Sequence, residues 1–110
     1  MMTSKLWHDR AAALKMDGRA LINGKRIWAQ SGQTFDNLSP IDGRNLGAVA
    51  RCDVADVDLA VSAARAAFND GRWADQAPAA RKRVLIKFAD LILENGDELA
   101  LLETDRKSVV

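Results

Sequence analysis

The chain carries one cysteine, Cys52, in the stretch ARCDVAD at residues 50–56. A catalytic thiol acts as its thiolate, and needs a nearby cation, a base or a helix N-terminus to lower its pKa. Cys52 stands just before a helix start, but Asp53, Asp56 and Asp58 crowd it, and like charge raises a thiol's pKa. The one histidine, His8, belongs to a different element. Cys52 therefore reads as a partly buried, inert residue at a strand end, as free cysteines commonly are.

The other residue types that do chemistry fare no better. The seven glycines, Gly18, Gly24, Gly32, Gly43, Gly47, Gly71 and Gly96, form neither G-x-G-x-x-G nor a P-loop, and each has a turn or cap role. Asp36, Asp42, Asp53, Asp56 and Asp58 are spread over turns and a helix start, where capping explains most of them. A lone histidine builds no metal cluster. Arg81-Lys82-Arg83, with Arg65 and Arg72 upstream, reads as a solvated helix face, and Trp73 as a plug at a core edge. No aromatic residues interleave with the basic ones as nucleic-acid binding asks. The chain read alone shows no active site.

The elements that position these residues are legible. Leu6, Trp7, Ala11, Leu14 and Met16 recur near a 3.6-residue period, which predicts a helix over residues 4–17, capped by Ser4 and stopped by Gly18. Asn23-Gly24, between Leu21-Ile22 and Ile27-Trp28, accepts positive φ at both central positions and predicts a type I′ hairpin. Thr34 to Leu38 reads as a strand stopped by Ser39-Pro40, and Leu46 to Cys52 as another after the Asp42-Gly43 turn.

Asp53 caps a helix whose Val54, Val57, Val61, Ala64 and Phe68 share a face, and Asn69-Asp70-Gly71 closes it. Pro78 opens the next helix, with an apolar stripe of Val84, Leu85, Phe88, Ala89 and Ile92, which Asn95-Gly96 ends. A last helix, DELALLET, starts at Asp97. The order is helix, short strands, then three helices, with no complete strand-helix-strand unit.

Composition sets the class. With 110 residues, 48% hydrophobic, 28% charged and a net charge of +1, the chain is an ordinary globular domain or a piece of one. Its balance favours neither nucleic acid nor an anionic membrane. No stretch approaches the roughly 20 apolar residues of a membrane span, and the start lacks a secretory core, so a cytoplasmic location is the default.

The run from LINGKRIWAQ to LALLET resembles the amino-terminal part of NAD(P)-dependent aldehyde dehydrogenases. The resemblance rests on Ile22-Asn23-Gly24, Ser39-Pro40, the glycine-bounded strand to Ala50, Asp56-Val57-Asp58 opening an alanine-rich helix, Trp73, Arg81, and Glu98-Leu99-Ala100 to Glu103-Thr104. It covers Ala20 to Thr104. Within the family the chain looks most like bacterial enzymes that oxidise γ-glutamyl-γ-aminobutyraldehyde.

The resemblance implies an α/β parent. In it, residues 1–19 form an amino-terminal helix, 20–52 a hairpin and short strands, and 53–104 the helical part of a cofactor-domain scaffold. Residues 105–110 would be a tail outside the family pattern.

The resemblance also implies an activity: aldehyde oxidation to a carboxylic acid by a cysteine thiolate, NAD or NADP, and a glutamate-activated water. Those groups lie beyond the matched stretch, so this chain is expected to be inactive, to bind no cofactor, and to partner the remainder of a parent that forms homo-oligomers. By the same resemblance, the main-chain carbonyls of Asn37 and Leu38, with Asp105, hold a monovalent cation. One residue fewer than in the family separates Thr104 from Asp105, which turns a helical side chain by about 100°.

After LLET the chain reads DRKSVV where the family continues differently, as a truncated or frameshifted frame would. The helix stripes would then lack their cover. The alternative is a stand-alone helical interaction module.

Overall fold

A computed structural model describes residues 3–105. The elements run α1 (Ser4–Ala13), β1 (Ala20–Ile22), β2 (Lys25–Ile27), β3 (Thr34–Leu38), β4 (Asn45–Ala50), α2 (Val54–Asn69), α3 (Pro78–Glu94) and α4 (Gly96–Asp105). The tail at residues 106–110 lies outside the described residues, and so does the Asp105 side chain.

The strands form two separate antiparallel pairs, β1 with β2 and β3 with β4. The first is the expected hairpin: Ile22 pairs with Lys25, and Asn23 (φ 53°) and Gly24 (φ 75°) both take the left-handed conformation that a type I′ turn demands. In the second, the register shifts by a bulge between Asn37 and Leu38. The connecting turn is held by buried Ser39, whose Oγ accepts from the Ile41 amide at 3.2 Å while its carbonyl accepts from the Gly43 amide at 2.9 Å.

The first helix is shorter than its periodicity predicts. It begins after Thr3, whose hydroxyl accepts from the Leu6 amide, so Thr3 rather than Ser4 is the cap. It ends at Ala13, with Leu14 already extended. Tertiary contact explains the loss: the Gly18 carbonyl accepts from the Ala50 amide at 2.8 Å, which draws the preceding segment along β4. Gly18 is thus a close-approach residue, not a helix stop. A Cβ built there would lie 1.8 Å from the Ala48 carbonyl oxygen, far inside contact distance.

The other boundaries shift less. β4 spans Asn45–Ala50 and leaves Cys52 outside it. Asp53 caps α2 as expected, and Gly71 follows it at φ 74°. Pro78 opens α3. α4 includes Gly96, so Asn95 alone separates the last two helices.

The core is small. Among the described residues only Ala29, Ala50 and Leu101 are buried apolar side chains. The radius of gyration is 17.8 Å, against about 13 Å for a compact domain of this length. α2 touches β1 and α3 touches α4, but the apolar sides of both long helices face outward. The stripes of α2 and α3 are thus left without cover, as expected.

Candidate functional site

The residues whose types could do chemistry are scattered. Cys52 is exposed, not partly buried, because β4 ends two residues before it and nothing folds over it. The lone histidine lies on α1, where its Nδ1 is 2.7 Å from the Ser4 carbonyl and engages its own helix. Among the described residues no three His, Cys, Asp or Glu side chains converge as a metal-binding group. Asp42 and Asp70 hold the arginines two residues on, Arg44 and Arg72. Those partners keep both carboxyls below the usual carboxylate range, Asp42 chiefly through the Arg44 backbone amide and Asp70 chiefly through the Arg72 guanidinium.

The basic run is mostly a solvated face: Lys82 and Arg83 are exposed, while Arg81 is half-buried. Arg65 lies over the Phe68 ring, 6.0 Å from its centroid. Trp73 is more exposed than a core plug.

Among the described residues Asp56 is the one charged side chain brought inside. It is 1% exposed and makes two kinds of contact. One oxygen accepts from the Asp53 amide at 3.1 Å, and the Asp53 carboxylate accepts in turn from the Ala55 amide at 3.2 Å, a capping box built from two aspartates. The other oxygen accepts from the Gln30 amide at 3.0 Å, in the loop that follows β2. These backbone N–H groups, Gln30's first and Asp53's second, hold the carboxyl below its usual range. From the sequence, Asp56 reads only as a helix-start charge. The N-cap-plus-three spacing signals the box, but nothing local signals the partner beyond the hairpin.

Asn37 and Leu38 flank the register shift of the second sheet, whose extra residue is Leu46 on β4. Asn37 is half-buried, and its amide nitrogen lies 3.6 Å from the Met16 sulfur. An open groove of about 590 Å³ sets Asn37 and Gly47 of the second sheet beside Asp17 and beside Glu98, Leu102 and Glu103 of α4. The structure thus brings Asn37 to the wall of α4, while Leu38 is exposed and does not line the groove. Asp17 binds Arg19 and Arg26, and the Arg19 guanidinium holds its carboxyl well below the ordinary range.

The dominant surface feature is apolar. Val54 (75% exposed), Val57, Val61 and Phe68 open one face of α2. Val84, Leu85, Phe88 (60%), Leu91 and Ile92 open one face of α3, and Ile86 and Leu93 (81%) open the opposite side. Contiguous patches of this extent mark interaction sites. The arrangement is a scaffold with a binding face and no described catalytic constellation.

Comparison with known proteins identifies the class. Residues 28–108 match the model of the aldehyde dehydrogenase family, and the chain belongs to that family. The NADP/NAD-dependent aldehyde dehydrogenase PuuC of Escherichia coli is 43% identical over 98 residues, which are 89% of this chain and 20% of that protein. The γ-glutamyl-γ-aminobutyraldehyde dehydrogenase of Burkholderia cenocepacia superposes with a TM-score of 0.91 at 52% identity, over 94% of this chain and 21% of its own. The indole-3-acetaldehyde dehydrogenase AldA of P. syringae, solved with NAD+ and IAA, superposes at 0.92 with 51% identity, over 96% of this chain and 21% of its own. The chain spans about a fifth of the length of the relatives it matches.

Proposed function

We propose that this chain is a scaffold segment of an NAD(P)-dependent aldehyde dehydrogenase that oxidises an aldehyde to a carboxylic acid, with the reacting groups supplied by the rest of the parent. The observation that carries the reading is the open apolar face of α2 and α3, in a chain that belongs to the family yet spans a fifth of its relatives. Leaving such a face in water forfeits about 25 cal/mol per Å², so its natural state is covered. The Burkholderia relative favours a γ-glutamyl-γ-aminobutyraldehyde-like substrate.

The described residues do not themselves fit a dinucleotide. Carboxylates of Asp53 and Asp56 fill the N-terminus of α2 and repel a pyrophosphate. Gly18 abuts Ala48 instead of opening toward a ligand. No step of the oxidation is assigned to this segment.

A monovalent cation held by the carbonyls of Asn37 and Leu38 with the Asp105 carboxylate belongs to the same reading. The groove supports it, since Asn37 lines it together with Glu98 and Glu103 of α4, the helix that ends at Asp105. A cytoplasmic, homo-oligomeric parent completes it.

The test is a chimera in which this chain replaces the matching segment of the Burkholderia enzyme. The chimera is expected to form NADH from γ-glutamyl-γ-aminobutyraldehyde, and the chain alone to form none. NADH production by the chain alone, or a folded chimera without activity, overturns the proposal.

A further inference from the structure

We propose that the groove between the end of α2 and the start of α3 seats a carboxylate side chain of the parent's remainder, clamped by Arg81; this rests on the scaffold reading above and names the chemistry that holds the covering chain.

Among the described residues two charged side chains are not exposed, Asp56 and Arg81. Asp56 is buried with both oxygens accepting backbone amides. Arg81 is half-buried, and its guanidinium makes no hydrogen bond or ion pair with any described residue. Drawing part of a five-donor group out of water with no acceptor costs free energy. The arrangement calls for a partner that the described residues do not supply.

An open groove of about 510 Å³ runs beside it. Ala67 and Phe68 of α2 line one side, Arg72, Trp73 and Ala74 of the link the other, with Arg81 at the start of α3. Charge selects the occupant. Arg72 is already held by Asp70, and Arg65 lies over the Phe68 ring. Asp75, the other acid of the link, makes no ion pair with Arg81. Lys82 and Arg83 follow Arg81, and no acidic residue stands in the first turn of α3. The excess is positive and ends on one unpaired guanidinium.

A carboxylate matches the guanidinium fork with two parallel hydrogen bonds. The Phe68 and Trp73 rings would keep water from the pair, which strengthens it. Through Phe68 the groove is continuous with the apolar face of α2 that the remainder covers. The acid therefore arrives on the covering chain and not as a free ion.

The test is the unfolding rate of the chimera with the Burkholderia enzyme, followed by circular dichroism at fixed temperature. Arg81→Gln is expected to unfold about tenfold faster at about pH 8, because it orphans a covered carboxylate. Arg83→Gln makes the same charge change at an exposed neighbour and is expected to stay within about twofold. Arg81→Lys keeps the charge but loses the fork, and should fall between them. By about pH 5 the Arg81→Gln deficit should shrink to about threefold or less, since an orphaned carboxylate in an apolar seat has a raised pKa and takes up a proton. Arg81→Gln unfolding at the unsubstituted rate overturns the inference. So does a deficit level across that pH range, which marks lost packing of the side-chain stem. So does an unsubstituted chimera that needs added phosphate to exceed Arg81→Gln, which marks a free anion. Because the readout is unfolding and not NADH formation, the rates are read even in a folded chimera without activity, whose inactivity overturns only the function proposed above.

Discussion

The buried Asp56 carboxylate accepts the backbone N–H of Gln30 at 3.0 Å, across 26 positions of sequence. This bond ties the end of the β1–β2 hairpin to the first turn of α2. Because the same side chain closes the capping box with Asp53, one carboxylate serves both a helix start and a tertiary joint.

Replacing Asp56 therefore undoes two things. Asp53→Ala removes only the cap and is expected to cost about 0.5–2 kcal/mol. Asp56→Ala is expected to cost more, because it also leaves the Gln30 amide without its acceptor. Urea midpoints of the two variants give the order. Amide exchange at Gln30 should quicken in Asp56→Ala and stay slow in Asp53→Ala.

Acid should loosen the same joint. Asp56 is held below its unfolded pKa of about 4, so its contribution is fully present above that value. It is lost as pH falls through the depressed folded pKa. Asp17, Asp42 and Asp70, each held low by an arginine two residues on, act with the same sign. Urea midpoints taken from about pH 7 down to about pH 2 should be level in this contribution until about pH 4, then decline. Asp56→Asn should flatten part of that decline.

Gly18 has no room for a side chain. Gly18→Ala forces the 14–18 segment off β4 or shifts the strand, at a cost of about 1–3 kcal/mol. The check is a lowered urea midpoint together with faster exchange of the Ala50 amide, which donates to the Gly18 carbonyl.

Cys52 is open to solvent and serves no described reacting group. A thiol reagent should label it without prior unfolding, and the chimera with the Burkholderia enzyme should keep its activity in Cys52→Ser. A loss of several orders of magnitude would restore Cys52 as a nucleophile.

What the sequence made legible was local. Asn23-Gly24 demanded its turn, Asp53 its cap and Pro78 its helix start, because each of those geometries is set within a few residues. The periodicity over residues 4–17 overran the helix because a contact with Ala50, far along the chain, overrode it. The double role of Asp56 was hidden for the same reason, since its second partner lies in another element. The exposure of Cys52 was not legible, because it depends on what packs over the strand end.

The carbonyl of Gly18 waiting for the amide of Ala50 also sets an order of events during synthesis. The stretch behind the first helix gains its seat only when the fourth strand has emerged and paired with the third. The 14–18 segment thus docks late, and a pause in translation before Ala50 would leave it undocked for the length of the pause.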